Sequence, residues 1–184
     1  MMQQRTRIDP LRRLLLCLML FQALPLAVCW AGPSHEYQLK AGFLVNFIRF
    51  ISWPQQAFPE GQPELILCVA GNDPFGSALD ELSQRTIGER PLRVLTVPSL
   101  EQVPRCHLLY VGRSEQRALD LLAALTASQA VVTVSDIRDF ARAGGGIEFV
   151  VQNDRLSFII NNTVLKQQGI QARAALLDLA AAVY

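Results

Sequence analysis

Gly71-Asn-Asp-Pro-Phe-Gly76 is the first place in this chain where chemistry could sit. A Gly-x4-Gly loop between a strand and a helix cradles phosphate when Lys and Ser/Thr follow it. Here Ser77 and Ala78 hold those two places. Asp73 also puts a negative charge at the helix mouth, which suits the helix dipole and repels a phosphate. The segment therefore reads as a capped strand-to-helix turn. Gly144-Gly145-Gly146 precedes a strand and reads as a tight turn or a close approach of backbones.

Histidines and cysteines are few. His35 falls in a leader read as flexible, and His107 opens a strand beside Cys106. Adjacent residues on a strand point to opposite faces, so Cys106 and His107 do not build a nucleophile–base pair. The sequence has no His-Glu-x-x-His, no Gly-x-Ser-x-Gly and no recognisable metal-ligand spacing. Arg residues are scattered singly, as on a solvated face. Asn161-Asn162-Thr163 matches a glycosylation sequon, which matters only in a eukaryotic secretory route. These observations argue against an enzyme and imply no metal or cofactor.

The first 31 residues read as an export signal. Arg5, Arg7, Arg12 and Arg13 precede an apolar run, Leu14 to Val28, and the small-x-small triplet Cys29-Trp30-Ala31 follows. The run is shorter than the roughly 20 residues needed to span a bilayer. A retained anchor is the alternative, and an acylated Cys29 fits poorly after Val28. Cleavage after Ala31 removes four Arg and Asp9, taking 17 basic and 16 acidic residues to 13 and 15. No basic patch remains to track a phosphate backbone, so nucleic acid is excluded as a partner. The mature chain, 32–184, is one domain's worth of sequence with no later membrane span.

Only Cys68 and Cys106 stay after cleavage, an even pair in an oxidising compartment. If their strands are neighbours they can bridge, and closing that loop stabilises by roughly 4 kcal/mol before strain. Two buried thiols are the competing reading. A catalytic redox pair lacks its usual Cys-x-x-Cys spacing.

Periodicity supplies the elements that position these residues. Glu36 to Ser52 reads as a largely buried helix stopped before Pro54, with Tyr37, Ala41, Leu44, Val45, Ile48 and Ile51 on one face. Strands follow at Glu64–Ala70, Leu92–Val97, His107–Val111 and Ala130–Val134. Helices are expected from Asp73 to about Gln84, from Ser114 to about Ala127, and near Ile137 to Ala143. Ile147–Val151 and Leu156–Ile160 read as a hairpin around Asn153-Asp154. Two helices close the chain, one at Thr163–Gln168 ending at Gly169, the other from Ala172 with Leu176, Leu179 and Val183 inward. The alternation predicts an α/β three-layer sandwich: a mainly parallel central sheet, an antiparallel hairpin at one edge and helices on both faces.

Two segments carry a resemblance. They are Lys40-Ala-Gly-Phe-Leu-Val-Asn-Phe-Ile-Arg-Phe-Ile-Ser-Trp-Pro54, and Gly144-Gly-Gly-Ile-Glu-Phe149 continuing through Arg155–Asn161 to Leu176-Leu-Asp-Leu-Ala180. With the Cys68 strand, the Gly71–Gly76 turn and Tyr110-Val111-Gly112, the chain resembles the YfiR family of bacterial periplasmic regulators over its whole mature length. The resemblance implies a negative regulator that binds the periplasmic sensor domain of an inner-membrane diguanylate cyclase. It would thereby repress cyclic di-GMP synthesis and biofilm formation. It also implies that Cys68 and Cys106 match one family disulfide. The place of a second holds Ile147, Glu148, Phe149 and Val150, which speaks against a two-bridge redox switch.

With no catalytic constellation, such a domain acts through a surface. If the hairpin edge is exposed, Phe149, Arg155, Phe158 and Asn161 form the expected partner patch. Core packing of both phenylalanines, and strand termination by Asn161, are the alternatives. A homodimer through a similar face is a further expectation. The rival functions are a periplasmic small-molecule-binding module and a redox enzyme built on Cys68 and Cys106.

Overall fold

Two runs, Leu108–Val111 and Val132–Ser135, are buried along their whole length, on both faces. That is the signature of central strands in a parallel sheet covered on both sides. The computed structural model describes residues 35–61 and 63–184. The expected export signal and its cleavage site lie outside the described residues.

Helix α1 (His35–Phe50) opens the described chain, so His35 belongs to a helix rather than a loose leader. The central strands are β2 (Leu65–Ala70), β4 (Arg90–Val97), β5 (Leu108–Val111), β6 (Val132–Ser135), β7 (Ile147–Gln152) and β8 (Arg155–Ile160). With the two-residue strands β3 (Thr86–Ile87) and β10 (Ala182–Val183), they form one sheet in the order β10-β8-β7-β6-β5-β2-β4-β3. Strands β4, β2, β5, β6 and β7 run parallel. A separate two-stranded sheet pairs β1 (Ile51–Ser52) with β9 (Gln171–Ala172).

Alternation along β2 divides the core. Leu65, Leu67 and Val69 face α1, α2 (Ser77–Ser83) and the carboxyl-terminal helices α4 (Asn162–Gln167) and α5 (Ala174–Leu177). Cys68 and Ala70 face α3 (Leu121–Ser128) and the loop carrying Ile137 and Phe140. The result is the three-layer α/β sandwich expected from the alternating pattern.

The hairpin turns through Asn153 and Asp154, both at positive φ. Positive φ at both central residues is the geometry whose twist suits a two-residue hairpin. Its register runs from Gln152↔Arg155 to Ile147↔Ile160. Strand β10 pairs parallel with the far end of β8, so the hairpin is flanked there by two more residues. Gly145 is needed where it stands, because a Cβ would run into the Phe140 ring.

Other boundaries moved for local reasons. Asp73 accepts the Phe75 N–H (2.7 Å), a closed turn that delays α2 to Ser77. The expected Ser114 helix is a 3-10 turn (Arg113–Ala118) followed by α3, because the Ser114 hydroxyl accepts the Asn72 N–H instead of capping. Residues 137–144 form turns, not a helix, held by Glu148, whose carboxylate accepts the N–H groups of Asp139 and Ala141. The last helix stops at Leu177 and the chain becomes β10; Leu179 and Val183 are exposed, not inward.

Strands β2 and β5 are neighbours, and Cys68 and Cys106 are joined by a disulfide with their Cα atoms 6.0 Å apart. Replacing both cysteines with alanine should lower unfolding stability by roughly 4 kcal/mol, the entropy of the loop they close. Urea unfolding with and without reductant measures it. Reductant should weaken the native protein by the same amount and leave the double variant unchanged.

Candidate functional site

Lys40 lies on the apolar face of α1, between Tyr37 and Leu44, and is 1% exposed. A buried ammonium is tolerated only when paired and hydrogen-bonded. Its partner is Asp136, directly after β6, whose Oδ2 accepts from Lys40 Nζ (2.6 Å) and from the Tyr37 hydroxyl (3.0 Å). The other oxygen accepts from Arg113 Nε (3.1 Å), which follows β5. Glu36, one turn before Lys40, completes the group. The Asp136 side chain is only 3% exposed, whereas that of Arg113 is 65% exposed.

These charges set each other's protonation. Burial alone would raise the Asp136 carboxyl. Lys40, Tyr37 and Arg113 outweigh that and hold it below the usual carboxylate range. The stability it provides is therefore present above the ordinary Asp value and is lost as pH falls through its lowered one. Burial first, then the Asp136 anion, raises the Tyr37 phenol. The same causes, in the same order, push Tyr110 well above its ordinary value. Its buried hydroxyl has no hydrogen-bond partner among the described residues.

The cluster forms one wall of a cleft of about 370 Å³ at the carboxyl ends of β5 and β6. Ligands of open α/β sheets bind outside the carboxyl ends of strands. Arg113 and Arg138 line one side, and Phe149, Val151 and Leu156 of the hairpin line the other. Val151, in that lining, is 66% exposed, and Leu39, the residue before Lys40 on α1, is 47% exposed.

The point where the strand order reverses, between β2 and β5, is closed. Gly71, at φ +83, leaves room for Ser114, whose hydroxyl takes the Asn72 N–H (3.0 Å). The Glu115 carboxylate takes the Leu100 N–H (2.9 Å). Loop donors that a phosphate would need are thus engaged by the protein's own side chains.

The expected partner patch is taken apart by the structure. Phe149 and Phe158 are buried and pack edge-on or tilted against Phe43 and Phe47, ring centroids 5.0–6.1 Å apart. Both phenylalanines are corrected to core residues, because α1 covers the hairpin's inner face. Asn161 ends β8 and caps α4: its Oδ1 accepts the Val164 N–H (3.1 Å) and its Nδ2 donates to Ala141 (2.8 Å). Arg155 alone of the four is exposed. Sequence reasoning missed Tyr37, Lys40, Arg113 and Asp136. The available signal was Lys40 itself, a lone cation on the buried stripe of an amphipathic helix.

Among the described residues no group of three or more His, Cys, Asp or Glu could hold a metal. Nor is any described helix long and apolar enough to cross a membrane. The fold and cleft define a doubly wound α/β domain whose open carboxyl end combines satisfied charges with exposed apolar side chains. The family model described as YfiR/HmsC-like matches residues 37–181, and the chain belongs to that family. No curated protein matches it. Among solved structures, a conserved domain protein from Vibrio cholerae is similar in fold, with a TM-score of 0.51 at 10% identity. The match covers 80% of this chain and 60% of that one. An ABC domain from Streptococcus pneumonia in complex with L-Trp gives a TM-score of 0.47 at 10% identity, over 78% and 60% of the two chains.

Asp136→Ala should cost roughly 3 kcal/mol, the low end for breaking a buried ion pair, because it leaves Lys40 in the core with only the half-exposed Glu36 as counter-charge. The double change Lys40→Met with Asp136→Leu should recover most of that loss. Chemical denaturation of the three proteins at neutral pH tests both statements.

Proposed function

We propose that this protein is exported to the periplasm, with its signal removed after Ala31. There it binds the periplasmic sensor domain of an inner-membrane diguanylate cyclase. Binding holds the cyclase inactive and so represses cyclic di-GMP synthesis and biofilm formation. The observation that carries this reading is membership of the YfiR/HmsC-like family across residues 37–181.

The physical features agree with action through a surface. The ionic groups of the cleft are largely spent on one another, as pairs and hydrogen bonds. What is free for a partner is apolar area with a guanidinium beside it: Val151 and Leu39, with Arg155 at the hairpin. Aromatic, aliphatic and Arg anchors carry most binding energy when desolvated. The partner patch therefore moves from the buried phenylalanines to Leu39, Val151 and Arg155. A homodimer through the same face competes with it for the same residues.

A small-molecule-binding role is the second reading. It is favoured by a cavity of about 600 Å³ at the amino ends of β5 and β6, lined by Arg105, Gln129 and Gln168. That volume falls in the range of small-ligand sites.

The test is capture from detergent-solubilised inner membrane known to contain a cyclase with a periplasmic domain. The native protein should retain that cyclase, and the Leu39→Asp and Val151→Asp variants should lose it at least tenfold without losing thermal stability. Cyclase activity that is the same with and without the protein would overturn the proposal.

A further inference from the structure

His107 does work that neither the cleft nor the proposed partner contact uses. Its backbone joins two strands, with its N–H donating to Ile66 O and its carbonyl accepting from Val132. Its ring is also fully engaged. Nδ1 accepts the Ile66 N–H (3.0 Å), so the ring proton sits on Nε2, which donates to the Ala57 carbonyl (3.1 Å). The ring stacks on Phe58, centroids 4.5 Å apart, and meets Trp53 edge-on at 5.9 Å. The Trp53 indole N–H closes the set by donating to His107 O (3.0 Å). The 3% exposed imidazole thus stands between the sheet and the Trp53–Phe58 segment and bonds to both.

We propose that His107 is an acid-sensitive latch, whose neutral ring pins the Trp53–Phe58 segment to the amino-terminal end of the sheet and whose protonation at Nδ1 releases it. Protonation turns the acceptor of the Ile66 N–H into a second donor facing it. A buried N–H is then left without an acceptor, against a newly buried cation.

The surroundings reinforce this. The charges acting on the ring are those of Arg90 on β4, whose guanidinium lies 3.8 Å over Phe58, and Arg105 before β5. Burial first, with both cations, lowers the His107 pKa from 6.5 to about 4, against the opposing bond to Ala57. The folded state therefore favours the neutral ring. The latch is complete above pH 6.5, weakens as pH falls, and opens near pH 4.

The full chain has two histidines and two tryptophans, which makes the test direct. Carbon-13-labelled histidine NMR follows each ring, and Trp30→Phe leaves Trp53 as the only tryptophan, which is excited selectively. His107 should titrate near pH 4, and Trp53 emission should shift with the same midpoint while far-ultraviolet circular dichroism stays unchanged. His107→Asn places an oxygen where Nδ1 sits and cannot titrate there, so the emission step should vanish. A ring titrating near 6.5, a Trp53 midpoint apart from the ring's, or a step that survives in His107→Asn would each overturn the latch. If His107→Asn does not fold, coincidence of the two midpoints in the otherwise native chain decides.

Discussion

One buried ion pair constrains much of this structure. Lys40 cannot leave the core without pulling α1 off the sheet, and Asp136 is its buried counter-charge, with the half-exposed Glu36 beside it. Asp136 in turn takes its place from the end of β6 and ties in Arg113 from the end of β5. Three pieces distant in sequence are therefore fixed to one carboxylate. An apolar contact tolerates sliding, whereas a buried charge with three directed donors does not. Its net stabilisation is small against desolvation, so its effect is to select one docking of α1 over its neighbours. That docking buries Phe43 and Phe47 against Phe149 and Phe158, which leaves the hairpin's outer side chains as the exposed ones.

Much of the fold was legible because its signals are local. Continuous apolar runs marked β2, β5 and β6, and Asn153-Asp154 marked the hairpin turn. Cys68 and Cys106 were legible as a conditional pair, since only the order of strands decides whether they meet. What was not legible depended on competition for single polar atoms. Ser114 was equally able to cap its own helix or to serve Asn72, and only the nearness of the Gly71 loop decides. Asp73 closes a turn on Phe75 rather than starting α2. Glu148 holds the 137–144 turns from a strand that begins three residues after them. Leu179 has helical spacing after Leu176, but β10 draws the chain back to the sheet before it can turn inward.

The candidate site was less legible than the fold. Aromatic residues beside an Arg are a fair signature of an interface in general. On a hairpin covered by a helix the same residues are core, and alternation along a strand does not say which face the helix takes. The burial of Lys40 would have answered it. A cation on the apolar stripe of α1 requires a carboxylate partner, and Asp136, directly after β6, is the buried one that ties α1 to that end of the sheet.

The two ends of the sheet are held by different chemistry. At the carboxyl end the fastening is ionic, with a carboxylate whose contribution persists to acid below its ordinary pKa. At the amino end it is neutral: the disulfide, the Gln129 and Gln168 amides that accept from Cys106 and Val131, and the His107 imidazole. A fall in pH therefore acts on the two ends through different groups: an imidazole that must take up a proton in a site that disfavours cations, and a carboxylate that its cations hold below its ordinary range. In this molecule the acid-labile fastening and the exposed apolar surface lie at opposite ends of the sheet.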